Sequence, residues 1–273
     1  MITSTSNDRI KNIIKLNTSS KARREQNAFA AEGVKMFIEA PLSCVKEVYV
    51  SESLLNKVNI ASRYGDDNEE ARLLKECGRK LKETGYTDVS DQVFNKMSET
   101  VTPQGIITLT ACERPLLGEV MSGINKRDLH ILILENLQDP GNLGTMLRTA
   151  EAAGYDFIMA NEGTVDVYNP KVIRSTMGSV YRVPVVYSRD FKKDIEIIKD
   201  AGVDVYAAHL KARRSYKEIS YGPRTAIMIG NEGKGLNEET AALADEYVKI
   251  PMQGQVESLN AAIAAGLLMF ATL

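Results

Sequence analysis

From about residue 128 onward, short apolar runs alternate with segments of helical periodicity. The runs are His130 to Leu134, Phe157 to Ala160, Val183 to Tyr187, Val203 to Ala207, Ala226 to Ile229 and Tyr247 to Ile250. Their hydrophobicity is continuous rather than alternating, which marks strands buried on both faces, as parallel strands flanked by helices are. The pattern predicts an α/β fold with a mostly parallel sheet. A helix is predicted to begin near Asn142, with Leu143, Met146, Leu147 and Ala150 on one stripe and Gly154 at its C-terminal end. The first block reads as a smaller α/β domain, with strands at Val45 to Val50 and Gly105 to Thr110 and helical periodicity over Ala28 to Glu39 and Ala71 to Thr84.

Between the blocks, Glu113-Arg114-Pro115-Leu116-Leu117-Gly118 and the polar stretch Ser122 to Asp128 mark a boundary. The expected organisation is a domain over 1–112, a linker over 113–127 and a second domain over 128–273. The longest charge-free run, Ser258 to Leu273, has 16 residues, short of the roughly 20 that a spanning helix needs. It reads as a buried helix or an interface. No stretch reads as a signal peptide or membrane span, and Cys44, Cys77 and Cys112 include no Cys-x-x-Cys pair. Neither a disulfide framework nor a zinc site is suggested, and a cytoplasmic protein is expected.

The net charge of −2 argues against a nucleic-acid partner until its distribution is considered. Over residues 1 to 35, Arg9, Lys11, Lys15, Lys21, Arg23, Arg24 and Lys35 outweigh Asp8, Glu25 and Glu32, a balance of +4. The stretch Asp66-Asp67-Asn68-Glu69-Glu70 pulls the other way. A basic patch of this kind can hold phosphates; a solvated helix face accounts for the same charges.

Three segments carry the candidate chemistry: Asn136 to Gly144 leading to Arg148, Ile229 to Leu236, and Ile250-Pro251-Met252 leading to Glu257-Ser258-Leu259-Asn260. Each follows an apolar run and is rich in glycine, amide or carboxylate, so three similar loops meet at one edge of a sheet, where a ligand sits in such folds. Arg148 is either a solvated arginine or a planar fork of donors for a phosphate or oxyanion. Gly230 to Leu236 is neither a Walker A loop nor Gly-x-Gly-x-x-Gly. Glu232 is a turn residue or an anchor for the Asn142 amide. Ser258 reads as the N-cap of the last helix, with Asn260 in its first turn, or the two orient a substrate hydroxyl. His130 and His209 receive no catalytic or metal role.

Together, Asn142 with Arg148, Gly230-Asn231-Glu232-Gly233, and Ile250-Pro251-Met252 with Glu257-Ser258-Leu259-Asn260 resemble motifs 1, 2 and 3 of the SpoU (TrmH-type) RNA 2′-O-ribose methyltransferases. The first block resembles that family's RNA-binding domain of the ribosomal-protein L30e type through Ser6-x-x-Arg9-Ile10-Lys11, Phe29 with Glu32-Gly33, and Thr102-Pro103-Gln104-Gly105. The resemblance implies S-adenosylmethionine-dependent methyl transfer on a fold with a deep trefoil knot, an exception to the rule that chains are unknotted. It also implies a homodimer and cofactor contacts at Gly230, Ile250 and Leu259.

By the same resemblance Arg148 is the catalytic arginine, with Asn142, Glu232, Ser258 and Asn260 shaping the site and no metal required. An arginine side chain with a pKa above about 12 stays protonated, so its expected role is to bind substrate phosphate and stabilise developing alkoxide while a phosphate or water takes the proton. The L30e-type N-terminal domain together with the Gly178-Ser179-Val180-Tyr181-Arg182-Val183-Pro184 stretch resembles the ribosomal-RNA branch more than the transfer-RNA branch, which typically carries helical extensions instead, and the chain stops at Leu273 directly after motif 3; 23S rRNA is the expected substrate. The alternatives are a transfer-RNA 2′-O-methyltransferase and an inactive rRNA-binding assembly module.

Overall fold

The computed structural model describes residues 1–64 and 68–273, so Asp66 and Asp67 of the acidic stretch lie outside the described residues. The chain divides into two compact units, one of Met1–Glu113 with Tyr168–Tyr181, the other of Arg114–Val167 with Arg182–Leu273.

The first unit runs α1 (Asp8–Thr18), α2 (Ser20–Gln26), β1 (Ala28–Glu32), α3 (Val34–Glu39), β2 (Val45–Ser51), α4 (Glu52–Tyr64), α5 (Glu69–Thr84), β3 (Thr87–Val89), α6 (Asp91–Met97) and β4 (Ile106–Ala111). Its sheet has the order β1-β4-β2-β3, with β4 antiparallel to both neighbours and β3 parallel to β2. The expected helix over Ala28 to Glu39 is a strand followed by a helix. Gly33, at φ 125°, breaks the helix, and the apolar residues before it are claimed by pairing with β4 from Ala28↔Ala111 to Glu32↔Ile107.

Two further readings of this unit change. Arg23 is 3% exposed and donates to the carbonyls of Leu16 (2.7 Å) and Asn17 (3.3 Å) at the end of α1, so it leaves the basic patch and serves as a helix C-terminal cap. Arg9 is engaged by Glu47 at 2.8 Å, Tyr49 and Thr87. The Thr102-Pro103-Gln104-Gly105 segment has a structural role. Gln104 Oε1 accepts the Val34 N–H at 2.9 Å, capping α3 from outside. Gly105, at φ 85°, leaves so little room that a Cβ would lie 2.6 Å from Ser51 Oγ and 2.7 Å from Leu54 Cβ.

The second unit carries α7 (Leu117–Gly123), β5 (Leu129–Leu134), α8 (Pro140–Ala152) and β6 (Phe157–Asn161). Helix α9 (Pro170–Thr176) belongs to the first unit, after which come β7 (Val185–Ser188), α10 (Phe191–Asp200), β8 (Asp204–Ala208), β9 (Arg214–Ser215), β10 (Arg224–Ile229), α11 (Glu238–Ala241), β11 (Glu246–Lys249) and α12 (Ala261–Ala271). The seven strands lie in the order β7-β6-β5-β10-β8-β11-β9 and every pairing is parallel. All six expected apolar runs are strands; β9, two polar residues at the sheet edge, carries no apolar signal. Ile131, Ile133, Phe157, Met159, Val205, Ala207, Ala226 and Met228 form one core layer, against which α7, α10 and α11 contribute Leu117, Ile195, Ile198 and Ala241. Helices α8 and α12 pack on each other and on the strands.

Strand β10 is inserted between β5 and β8, so the order reverses beside β5 and a crevice opens at the C-terminal strand ends. The loops after β5, β10 and β11 leave from those ends.

Gly105→Ala is expected to destabilise the first unit by about 1–3 kcal/mol, since the new methyl meets both a strained φ and backbone-anchored neighbours. A lower urea midpoint in circular dichroism checks it.

Candidate active site

Helix α8 begins two residues earlier than the apolar stripe suggested. Pro140 occupies its first turn, where the missing N–H is harmless, and the Asp139 carboxylate accepts the Asn142 N–H at 2.7 Å. Asn142 therefore sits inside the first turn, at the buried side of the helix.

The Glu232 carboxylate gathers the ends of this turn. Its Oε1 accepts the Asp139 N–H at 2.9 Å and the Asn142 Nδ2 at 3.1 Å; its Oε2 accepts the Gln138 N–H at 3.1 Å. Asn142 Oδ1 in turn accepts from Asn260 Nδ2 at 2.9 Å. Asn260 Oδ1 caps α12, accepting the N–H groups of Ala262 (2.9 Å) and Ile263 (3.3 Å). One amide thus joins all three segments, and the anchoring reading of Glu232 is the one realised. The expected cap at Ser258 is corrected: α12 starts at Ala261, and Ser258 is an exposed residue two positions ahead of the cap.

Burial by itself would raise the Glu232 pKa. The N–H groups of Asp139, of Glu232 itself and of Gln138, with the Asn142 amide, outweigh burial and hold the carboxyl below the usual carboxylate range.

Other residues hold the loops in shape. Asn231 Nδ2 donates to the Asn136 carbonyl at 2.9 Å, and its Oδ1 accepts the N–H groups of Gly233 and Lys234, each at 3.0 Å. Asn136 sits at φ 54°, with its N–H on Asn161 Oδ1 at 2.8 Å. Glu135, 3% exposed, accepts the Asn237 N–H at 2.8 Å and its Nδ2 at 3.0 Å, tying the strand end to α11. Gly230 has no room for any side chain, because a Cβ there would lie 2.1 Å from the backbone of Gly235 and Leu236. Asn136 opens the first of the three segments singled out from the sequence; Asn161 and Glu135 were not singled out, and the run of Asn and Glu at strand ends was the available signal for them.

Beside this network lies a cavity of about 420 Å³, within the range of small-ligand sites. Its walls include Leu210, Ile250, Met252, Leu259 and Leu268, with Ser258 at the lining. Of the residues expected to meet a cofactor, Ile250 and Leu259 line the cavity; Gly230 does not, and shapes the adjoining loop instead. His209, given no role from the sequence, lines the cavity with its ring stacked on Tyr247 at 4.8 Å between centroids.

Arg148 is exposed, makes no hydrogen bond or ion pair with any described residue, and does not line the cavity. At about 100° per residue it stands about 120° around α8 from Asn142 and about 60° from Thr145. Thr145 and Thr149 line a separate open groove with Ile263, Gly266, Leu267 and Phe270 of α12. Among the described residues, no group of three or more His, Cys, Asp or Glu side chains could hold a metal ion.

A parallel α/β unit with a cavity and an amide–carboxylate cluster at its strand ends, joined to a smaller mixed-sheet unit, is the class that this structure defines. Residues 129–270 match the SpoU rRNA Methylase family and residues 7–108 the MRM3-like substrate binding domain. The 23S rRNA (guanosine(2553)-2′-O)-methyltransferase RlmP of Bacillus subtilis is 34% identical over 273 residues, 98% of this chain and 97% of that one. An AdoMet-bound rRNA methyltransferase from Sinorhizobium meliloti superposes with a TM-score of 0.79 at 28% identity, covering 99% and 96% of the two chains. AviRb from Streptomyces viridochromogenes shares the fold, with a TM-score of 0.77 at 21% identity over 97% of this chain and 96% of that one. The chain belongs to the SpoU rRNA methylase family.

Glu232→Gln should lower stability by about 1 kcal/mol, a value discounted for the exposure of the carboxylate, because an amide oxygen alone cannot accept from both sides. The sign of the pH effect follows from the lowered pKa: the Glu232 contribution is present above the ordinary carboxylate range and is lost as pH falls through it. The variant should therefore show a flatter loss of stability below about pH 5, read from thermal midpoints across pH.

Proposed function

We propose that this protein methylates a ribose 2′-hydroxyl of 23S rRNA with S-adenosylmethionine as donor. The observation that carries the reading is the similarity to RlmP over nearly the full length of both chains, together with the Glu232–Asn142–Asn260 network beside an apolar cavity. The cavity fits the cofactor: its apolar walls suit an adenine ring, and the Gly230 close approach leaves backbone groups, rather than a side chain, at the loop edge. Ile250, Leu259 and the loop held by Gly230 would hold it.

Bound S-adenosylmethionine supplies an electrophilic methyl group, so the remaining work is to place one hydroxyl oxygen in line and to remove its proton. Asn142, with both amide ends committed, and Glu232 keep the loops rigid. Ser258 offers a hydroxyl at the cavity to orient the ribose. Arg148 binds a substrate phosphate and would stabilise charge developing on the ribose oxygen as the methyl moves to it from sulfur, which would keep the electron pair of the broken S–C bond; the proton passes to a phosphate oxygen or water.

Arg148 stands on the α8 side that borders the open groove, and α12 presents Ile263 (56% exposed), Leu267 (39%) and Phe270 (53%) on that groove. A charge-free helix face of this kind suits a second copy of the chain. We take the enzyme to be a homodimer through α8 and α12, with Arg148 of the partner subunit completing each site. The knot belongs to the same reading, which the packing of α12, after β11, back onto α8 and β10 supports. The enzyme acts in the cytoplasm.

Methyl transfer from radiolabelled S-adenosylmethionine to unmodified 23S rRNA, 16S rRNA and bulk tRNA tests the reading. Alkali-resistant label in 23S rRNA is expected, with none from Arg148→Ala and a loss of about 100-fold or more from Arg148→Lys, because a point charge does not replace the guanidinium fork. Label in tRNA alone would move the substrate class, and no label in naked RNA or assembling particles, with no cofactor binding, would leave an RNA-binding assembly module. Phe270→Asp with Leu267→Asp should yield monomers by analytical ultracentrifugation. Mixing the inactive Arg148→Ala protein with an inactive Ser258→Ala, Asn142→Ala protein should restore activity if the site is shared, and should not if Arg148 serves its own subunit.

A further inference from the structure

Among the residues that line the cavity beside the network, mostly apolar with His209 and Ser258 as neutral polar groups, two carry formal charge, Lys249 and Glu257, one of each sign. Neither makes a hydrogen bond or ion pair with any described residue, and they do not pair with each other. Nearby cations differ: Lys211 is held by Glu238 at 2.8 Å and Arg214 by Glu246 at 3.0 Å. Lys249 is half-buried at the end of β11, next to the buried Val248. Glu257 is exposed at the cavity rim, on the segment leading to α12.

A ligand with a carboxylate and an ammonium on one carbon satisfies both groups at once. We propose that Lys249 binds the carboxylate and Glu257 the ammonium of the amino-acid end of the cofactor, which rests on the functional reading above. The apolar walls take the adenine, and this pair of opposite charges fixes which way the other end of the molecule points. The two residues position the methyl donor and take no part in moving the proton. The arrangement also favours ligands with an intact amino-acid end over shortened nucleosides.

Calorimetric titration with S-adenosylhomocysteine and with 5′-methylthioadenosine tests this. The first carries the amino-acid end without the sulfonium charge, so any Glu257 effect reports on the ammonium alone; the second lacks that end. Lys249→Met and Glu257→Gln keep side-chain size. Each should weaken S-adenosylhomocysteine binding about 10-fold and leave 5′-methylthioadenosine binding within about 2-fold of the wild type. Equal losses for both ligands would mean a merely structural role, and unchanged S-adenosylhomocysteine binding would exclude the contact; either overturns the proposal. A wild type that binds neither ligand would instead overturn the functional reading, and this assignment with it.

Discussion

A single carboxylate sets the geometry on which the rest of the site depends. The first turn of a helix leaves N–H groups without intrahelical partners. Asp139 answers one of them from within the turn, while Glu232, arriving from another strand end, takes the N–H groups of Gln138 and Asp139 ahead of it. The approach of the chain to α8 is thereby fixed relative to the loop after β10. Asn142 extends the constraint, because its donor end is committed to Glu232 and its acceptor end to Asn260. Reversing the amide would set donor against donor and acceptor against acceptor, so only one orientation satisfies both. The start of α12 is locked to the start of α8 by this one side chain, and the close approach at Gly230 lets the glycine-rich loop fold back far enough to deliver Glu232.

Continuous apolar runs were sufficient to identify six parallel strands because burial on both faces removes the polar alternation that would otherwise obscure the reading. The stripe on α8 was legible for a related reason: Leu143, Met146, Leu147 and Ala150 are fully buried and nothing polar competes for that face. The failures have physical causes as well. Ala28 to Glu32 is apolar with no period of its own, and only pairing with β4 makes it a strand. Ser258 and Asn260 are both competent caps, and the choice of Asn260 depends on Asn142, more than a hundred residues away, being there to receive its amide. The three motifs were visible as compositions, but that Asn142 bridges them could be judged only once Glu232 and Asn260 were placed.

Charge misleads when it is summed. Arg23 looked like part of a basic patch and is an interior cap, and Arg9 spends its donors on Glu47, Tyr49 and Thr87. Among the described residues Arg148, Lys249 and Glu257 make no hydrogen bond or ion pair through their side chains, whereas Lys211 and Arg214 are held by Glu238 and Glu246. A protein of net charge −2 that handles a polyanion must do so through local uncompensated charge, and the ion pairs of this chain define where such charge is left over.

The last helix shows how one segment serves two surfaces. Ala262, Ala265, Leu268 and Met269 are buried, and the small residues among them let α12 lie close against α8 and β10. Ile263, Leu267, Phe270 and Leu273 are 56%, 39%, 53% and 67% exposed, so the helix is apolar all round yet only half covered. Helices that are apolar all round are as a rule buried on every side. The groove on this face includes Thr145 of α8, about 60° around that helix from Arg148, so a second copy covering the apolar stripe, as proposed, would also decide what the guanidinium reaches. Under the proposed homodimer, association and catalysis are one problem for this chain: the surface that a second copy would cover adjoins Arg148.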